Sequence, residues 1–347
     1  MNNEQSLANT SSNNWENVVK SYPEANFLQS PNYVKMNELL GNKTIVLDFE
    51  KNGHTLMIVR NAKRGRYIEI PCGPLIDWKD KSIVEEVFGK IRETAKKEKC
   101  VFVRIRPQLI QTPDNKRLMS SLGLVESPMH LAAEHTVMID LTIPEEALLA
   151  NMRRQTRYEV RRAEKQGIKV TCNNSEELFR EFHQVQAETA KRQGFVPPSL
   201  KVLLAEREAF HENAMIYVAT TAEGEKIAYG LIIKDGEEGD YYEAASTMLN
   251  RKLPGAYALI WQAMKDLKAA GYKRFNLWGI APAGQPNHRY AGVTTFKTGF
   301  GGEVVEYIPA HDLVISKIGY LKDLVVEKAR KKRRHYDNLY DQQCFLT

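Results

Sequence analysis

The distribution of hydrophobic and polar residues along the chain predicts a mixed α/β protein. Short apolar runs rich in β-branched and aromatic residues are typical of strands. Longer segments carry apolar residues three and four positions apart, which is typical of helices packed on one face. The predicted strands cover residues 100–105, 135–141, 215–220, 227–234, 240–245, 274–278 and 304–307, and the predicted helices cover 142–167, 175–192, 200–212, 254–270 and 318–336.

The helix after residue 141 has clear start signals. Thr142 is predicted to cap its N-terminus, Pro144 falls in the first turn, and Glu145 and Glu146 suit the positive end of the helix dipole. The apolar residues that follow keep a helical spacing up to Gly167, where a glycine can end a helix. The pattern therefore predicts one uninterrupted helix.

Two segments of the chain repeat the same order of elements. Each has a strand, a loop with proline, a helix, a glycine turn and a further strand, and the turns at Gly123 and Gly299 lie about half the chain apart. A duplicated α/β domain explains this order most simply. We therefore predict a first domain at 15–145 that also includes 310–347, and a second at 146–309. The polar residues 1–14 are predicted to be a disordered lead-in.

The composition narrows the class of partner. The chain has 347 residues, which suggests two domains, and its net charge of +6 favours anionic partners such as phosphate-bearing substrates, RNA or an anionic membrane face. The four cysteines are scattered without a Cys-x-x-Cys pair. This argues against a zinc site or a disulfide framework and fits the reducing cytoplasm. No apolar run reaches the roughly 20 residues that a membrane helix needs.

One lysine in a small, apolar turn is the first candidate for chemistry. Lys297 lies in the segment Thr-Phe-Lys-Thr-Gly-Phe-Gly-Gly at 295–302, directly after Phe296. This setting would hold the aliphatic stem and direct the ammonium at an anionic ligand or a developing negative charge. The alternative is an ordinary solvated lysine at a helix end, favoured there by the helix dipole. The eight residues alone leave both interpretations open.

An arginine-rich ridge on the helix before Gly167 is the second candidate. Arg153, Arg157 and Arg161 are four residues apart and share one side of that helix. Guanidinium groups bind phosphate bidentately, so the ridge indicates an anion-binding surface; a solvated helix face is the alternative. The usual nucleotide-loop, zinc-protease and serine-hydrolase motifs are absent from the sequence. Catalysis should therefore rest on positioning and electrostatics, without a metal or cofactor.

Taken in order, these segments resemble the Fem (FemABX) aminoacyltransferases, which build the peptide cross-bridge of bacterial peptidoglycan. The matching stretches run from about residue 15 to 325 in family order: 27–31 with Lys35, 67–74, 135–141 followed by the arginine-rich helix up to Gly167, 190–195, 242–246, 276–279 and 295–302. It is the ordered set, rather than any one stretch, that carries the resemblance.

The resemblance implies an α/β protein with two tandem GCN5-related N-acetyltransferase-like (GNAT-like) domains, in agreement with the repeat. It also implies a function, the transfer of an amino acid from an aminoacyl-tRNA to the side-chain amine of a peptidoglycan precursor. That precursor is UDP-MurNAc-pentapeptide or lipid II. The implied enzyme works in the cytoplasm, with peripheral contact to the inner membrane face and no DNA partner.

Carried over by position, the resemblance also implies site residues. Lys297 and Phe296 would lie at the transfer centre, where Lys297 would stabilise the oxyanion of the tetrahedral intermediate or the leaving ribose oxygen. Lys35 and Arg192 would bind the phosphates or carboxylate of the precursor. The full set of implied substrate-binding residues is Lys35, Arg192, Tyr242, Tyr257, Arg157 and Arg161.

Some features depart from the family pattern. The long coiled-coil arm is absent, since Pro197 and Pro198 and one short helix lead straight to the strand at 215–220; this resembles the smaller members that act on the soluble precursor. Glu243 occurs where an aromatic residue is common, and Arg106 where an acid is common. Two other functions remain open, an aminoacyl-tRNA–protein transferase acting on a protein N-terminus and a non-catalytic RNA- or membrane-binding protein. The latter would use the arginine ridge and the basic run at 328–334.

Overall fold

A computed structural model of the chain describes Trp15, Val19, Tyr22 and residues 24–49, 52–62, 65–288 and 290–333. The predicted lead-in at 1–14 lies outside these residues. Contacts divide the chain into two units, one formed by 1–127 with 308–324 and the other by 128–307 with 325–347. None of the helices in the described ranges is both long and apolar enough to cross a membrane.

Helices and strands are interspersed along both halves of the chain. The first half contains α1 (Pro31–Leu39), β1 (Lys43–Asp48), β2 (Gly53–Ala62), β3 (Gly65–Pro71), β4 (Leu75–Ile76), α2 (Lys81–Lys97), β5 (Cys100–Arg106), α3 (Pro113–Ser121), β6 (Val125–Glu126), β7 (His135–Asp140), α4 (Glu145–Asn151) and α5 (Arg154–Lys165). The second half contains β8 (Lys169–Asn173), α6 (Glu176–Gln193), α7 (Leu200–Phe210), β9 (Ala214–Thr220), β10 (Lys226–Asp235), β11 (Glu238–Ser246), α8 (Gly255–Ala269), β12 (Arg274–Asn276), α9 (Ala291–Thr298), β13 (Glu303–Glu306), β14 (His311–Val314) and α10 (Lys317–Arg333).

Each unit is built on one sheet, and the two sheets have the same plan. The first has the order β1-β2-β3-β5-β14-β6, with β4 beside β2, and the second has the order β8-β9-β10-β11-β12-β7-β13. Neighbouring strands are antiparallel except for the parallel pairs β3–β5 and β11–β12. The strands β9-β10-β11-β12-β7-β13 therefore correspond one for one, in order and direction, to those of the first sheet. This confirms the predicted duplication.

The parallel pair in each sheet requires a helical crossover, which α2 and α8 provide. Helix α2 is capped at its N-terminus by Asp80, whose carboxylate accepts bonds from the amides of Ser82 and Ile83. The two helices bury their apolar faces in separate hydrophobic cores, one in each unit. In α8 the buried residues are Leu259, Ile260, Ala263, Met264 and Leu267, at the helical spacing seen in the sequence.

The segment around residue 150 differs from its prediction in two ways. Thr142 does not cap a helix, because its amide and hydroxyl both donate to the Asp140 carboxylate, at 2.8 and 2.6 Å. The predicted single helix is divided into α4 and α5, with Met152 and Arg153 extended between them. The break is stabilised by tertiary contact, since the Arg153 amide donates to the Gly299 carbonyl at 2.8 Å.

The strand at 135–140 also differs from its predicted place. The proposed boundary after residue 145 put it in the first domain, whereas β7 pairs with β12 and β13 and the second unit begins at residue 128. The hydrophobic pattern of a strand identifies the strand but carries no information about which sheet it joins.

Candidate active site

A cavity of the second unit lies where strands β11 and β12 of the second sheet stop pairing. Strands β11 and β12 pair only over Glu238–Asp240 and Arg274–Asn276, after which β11 continues to Ser246 while β12 ends. A cavity of about 370 Å³ is lined by residues 241–246 of β11 and by Gly279 from the loop after β12. Its volume lies within the range of about 300–1,000 Å³ that is usual for small-molecule sites.

A β-bulge in β11 alters which side chains face this cavity. Opposite β11, Leu231 pairs with Glu243 and Ile232 pairs with Tyr241, so Tyr242 is an extra residue without a counterpart on β10. A bulge twists the strand and redirects its side chains. Tyr241, Tyr242 and Glu243 all line the cavity as a result, although regular alternation would turn the middle one away.

Lys297 lines the same cavity from the last turn of α9. Its side chain is only 8% exposed, its Nζ donates to the Gly279 carbonyl at 2.8 Å, and the Tyr241 ring centre is 5.9 Å from Nζ. Burial disfavours the charged form and lowers the pKa of Lys297 to about 7. The group can therefore act as a cation or as a neutral donor close to neutral pH.

The loop after β12 positions the carbonyl that holds Lys297. Trp278 is buried and adopts a φ of 60°, which is unusual for a bulky residue, and its amide donates to Asn276 Oδ1 at 2.9 Å. Such a conformation costs on the order of 1–3 kcal/mol and persists only where the surroundings enforce it. The Ala281 amide bonds to Thr294 Oγ1 at 2.8 Å, which ties this loop to α9.

Three aromatic rings form an apolar wall beside Lys297. The Phe296 ring centre is 4.9 Å from that of Tyr257 and 5.2 Å from that of Phe300, and both pairs meet edge to face. Tyr242 packs against Trp278 with ring centres 5.2 Å apart. The structure thus brings together four of the residues named from sequence, Lys297, Phe296, Tyr242 and Tyr257, as lining residues of one cavity.

The other four named residues lie elsewhere. Arg192 is exposed, and its Nη2 donates to the Ser246 carbonyl and, at 3.1 Å, to Thr189 Oγ1; both acceptor residues line the cavity. Lys35 is exposed on α1 of the first unit. Arg157 and Arg161 lie on α5 and are not among the lining residues.

The arginine ridge of α5 is largely engaged within the protein. Arg157 Nη1 donates to the carbonyls of Ala150, at 2.6 Å, and Met152, which end helix α4. The Arg153 guanidinium donates to the Thr295 carbonyl on α9. Arg161 is exposed. Two of the three guanidinium groups therefore stabilise the break between α4 and α5, a use that neither sequence interpretation included.

Sequence reasoning missed the functional potential of one acidic residue. Glu243 lines the cavity, and its carboxylate accepts a hydrogen bond from Gln186 Nε2 of α6. Burial raises its pKa to about 7. Behind it, Glu206 of α7 is 1% exposed, and burial together with the Glu243 charge raises the pKa of Glu206 well above its ordinary value. The sequence signal was an acid inside an apolar strand, noted only as a departure from the family.

The cavity therefore combines a cation, an acid and an aromatic wall. Lys297 and Glu243 can each change protonation state near neutral pH, because desolvation moves the pKa of each group to about 7. Within the described ranges, no group of three His, Cys, Asp or Glu side chains could hold a metal ion. The arrangement is suited to stabilising negative charge and to moving a proton on a small bound group.

Three comparisons relate the chain to known proteins. The sequence model of the FemAB family matches residues 10–225 and 220–328. The aminoacyltransferase FemA of Staphylococcus aureus (strain MRSA252) is 20% identical over 90% of this chain and 96% of its own. The crystal structure of FemX has a TM-score of 0.81 at 17% identity, covering 91% of this chain and 98% of that chain. A tandem GNAT protein from the clavulanic acid biosynthesis pathway has a TM-score of 0.54 at 11% identity, covering 89% and 96%.

Proposed function

Because the chain belongs to the FemAB family and is a transferase, we propose that it moves an amino acid from an aminoacyl-tRNA to the side-chain amine of a peptidoglycan precursor. The precursor is UDP-MurNAc-pentapeptide or lipid II, and the product is an amide in the interpeptide bridge. The single observation that most supports this function is the Lys297 ammonium, buried in a cavity of the second unit and held by one carbonyl. The proposed place of action is the cytoplasm.

Lys297 supplies what this reaction needs most. Attack of an amine on an aminoacyl ester creates an oxyanion and then expels a ribose oxygen, so negative charge develops that the ground state lacks. A lysine has three N–H donors, and one is used by the Gly279 carbonyl. The remaining two can stabilise the developing charge. A fixed donor of this kind accelerates the chemical step because its hydrogen bond to the oxygen becomes stronger as charge develops in the transition state.

The surrounding residues have proposed binding roles. Phe296 and Tyr257 of the apolar wall, together with Tyr242, line the cavity and would contact the transferred aminoacyl group. Lys35 and Arg192 are exposed cations proposed to bind the phosphates or carboxylate of the precursor. Arg161 is the exposed member of the arginine ridge and is proposed, with Arg157, to contact anionic substrate. The engagement of Arg157 with the end of α4 supports a structural role beside that one.

The test is transfer of radiolabelled amino acids from total charged tRNA to defined acceptors. UDP-MurNAc-pentapeptide, lipid II in detergent and peptides with a free N-terminus are offered separately, each with and without the tRNA. We expect label in one of the two cell-wall precursors and none in the peptides. Label in the peptides alone would identify a protein N-terminal transferase, and no label in any acceptor would contradict the proposed function.

A further inference from the structure

An acidic residue lines the same cavity as Lys297 in the candidate site. Glu243 comes from β11 and Lys297 from α9, and both line the same cavity. The other charged or titratable side chains that line it are His130, which is paired with Glu134 at 2.8 Å, and four tyrosines. Glu243 is therefore the one carboxylate among the described lining residues. A cavity with a single acid in an aromatic wall is suited to a single cationic group.

The residues behind Glu243 keep it ready to exchange a proton. Gln186 of α6 is buried and donates its Nε2 hydrogen to the Glu243 carboxylate, which fixes the orientation of the acid. Glu206 of α7 is more deeply buried, and its Oε2 has no hydrogen-bond donor among the described residues. Two neighbouring carboxylates cannot both ionise cheaply, so Glu206 retains a proton and Glu243 is the member that titrates.

We propose that Glu243 binds the acceptor amine of the substrate and takes the proton that this amine must lose before it attacks. The inference rests on the proposed aminoacyl transfer and names the acid–base residue of that reaction. In this scheme Glu243 is a catalytic residue, because it contacts the reacting nitrogen. Gln186 is a positioning residue, because it donates to the Glu243 carboxylate, whereas Glu206 only keeps its own proton.

The proton and bond balance of the step is complete without any further reagent. The acceptor enters as an ammonium, since an alkyl amine has an ordinary pKa near 10. One of its protons passes to Glu243 and later to solvent. The neutral nitrogen then forms a bond to the ester carbon, and the ester carbon–oxygen bond breaks. The second nitrogen proton passes to the ribose oxygen, giving a hydroxyl and an amide, while Lys297 stabilises the charge on oxygen.

Glu243→Gln tests the inference, because glutamine keeps the shape of the acid and cannot accept the proton. Glu188→Gln is the matched control, since Glu188 is exposed on the same helix as Gln186 and its loss removes the same charge. Single-turnover transfer is measured from pH 5.5 to 8.5. We expect Glu243→Gln to lower the transfer rate by about 10²–10⁴-fold. The decrease of the wild-type rate below pH 7 should be lost in this variant. Glu188→Gln should keep both the wild-type rate and its pH dependence.

A binding experiment without tRNA tests the same residue independently of turnover. Calorimetry compares UDP-MurNAc-pentapeptide with the same precursor acetylated on its side-chain amine. We expect the wild type to prefer the free amine about tenfold and Glu243→Gln to bind both equally. Glu206→Gln should keep the rate within a few-fold, because Glu206 already carries its proton; a loss as large as that of Glu243→Gln would assign the acid to Glu206 and overturn the proposal.

The two proposals can fail separately. If the wild type transfers label but Glu243→Gln keeps the full rate and the preference for the free amine, Glu243 is not the acid and the aminoacyl transfer stands. If the wild type transfers no label, the proposed function itself is contradicted. Should Glu243→Gln unfold, judged by circular dichroism, Glu243→Asp replaces it: a lowered rate that keeps its fall below pH 7 supports the proposal, and an unchanged rate overturns it.

Discussion

Lys297 is maintained in the cavity although its burial disfavours its charge. Its position after Phe296 could be identified from the sequence, because an ammonium among small and aromatic residues is unusual. Its carbonyl partner could not, since Gly279 is 18 residues away and reaches Lys297 only through the left-handed turn at Trp278. Glu243 was missed as a residue of the cavity for a similar reason, because the direction of its side chain depends on a bulge that the strand pattern does not encode.

Replacement of Lys297 by methionine should slow transfer much more than it weakens binding. Methionine keeps the apolar stem beside Phe296 but removes the donor that is proposed to stabilise the oxyanion. Loss of one such donor typically lowers the rate on the order of 10²–10³-fold. Single-turnover kinetics should show the fall in rate, with the affinity for UDP-MurNAc-pentapeptide within about threefold of the wild type. A variant with near-normal turnover would show that Lys297 is structural.

The same variant should be more stable than the wild type at neutral pH. The folded pKa of Lys297 is lowered from 10.5 to about 7, so between these values the unfolded chain binds more protons. The stability of the wild type therefore rises with pH over this window, by up to a few kcal/mol. Urea unfolding should show an advantage for Lys297→Met at pH 7 that shrinks towards pH 10. An advantage independent of pH would exclude titration of Lys297 as its cause.

At the scale of elements, the sequence patterns predicted the positions of helices better than the positions of interruptions within them. The helices at 176–193, 200–210 and 255–269 have nearly their predicted ends, because capping residues and apolar spacing are local signals. The break between α4 and α5 depends on a bond from the Arg153 amide to Gly299, almost 150 positions further along the chain. A Cβ at Gly299 would overlap the buried Thr156 hydroxyl and the end of the Arg153 side chain, so this contact favours a glycine.

Arg157→Ala should destabilise the protein because the Arg157 guanidinium donates to carbonyl groups at the C-terminus of helix α4. It donates to the carbonyls of Ala150 and Met152, and charged hydrogen bonds of this kind contribute about 1.5–3 kcal/mol. The control is Arg161→Ala, one turn further on α5 and exposed, which should change stability by less than about 0.5 kcal/mol. Equilibrium urea unfolding measures both. Equal stabilities, with weaker tRNA or precursor binding in Arg157→Ala alone, would instead favour an anion-binding role.

At the scale of the whole molecule, the duplication could be predicted from the sequence, but the insertion of a sequence-distant strand into each sheet could not. In the first sheet β14 lies between β5 and β6, and in the second sheet β7 lies between β12 and β13. Each inserted strand is separated in sequence from the rest of its sheet. The repeat of elements was visible because it is local, whereas the choice of sheet depends on long-range pairing. The predicted domain boundary was displaced for this reason.

The inserted strand β14 carries a buried aspartate whose hydrogen bonds lie within the first unit. Asp312 is fully buried and accepts two bonds from Arg104 of β5, at 2.8 and 2.9 Å, and a third from the Tyr320 hydroxyl at 3.0 Å. Asp312→Ala would leave the Arg104 guanidinium buried beside apolar residues, which typically costs about 3–5 kcal/mol. The surface pair of Asp114 with Arg117 provides the control, because both side chains are more than two-thirds exposed and Asp114→Ala should change little.

Hydrogen exchange can show which unit loses stability in Asp312→Ala. Because each unit has its own hydrophobic core, Asp312→Ala should accelerate exchange of the amides in β3 and β5 while those in β10 and β11 keep their protection. The strand most affected, β5, lies some 200 residues from the substitution in sequence. Such a distant effect is expected because β14 pairs directly with β5. Uniform loss of protection in both sheets would show instead that the two units unfold as one cooperative body.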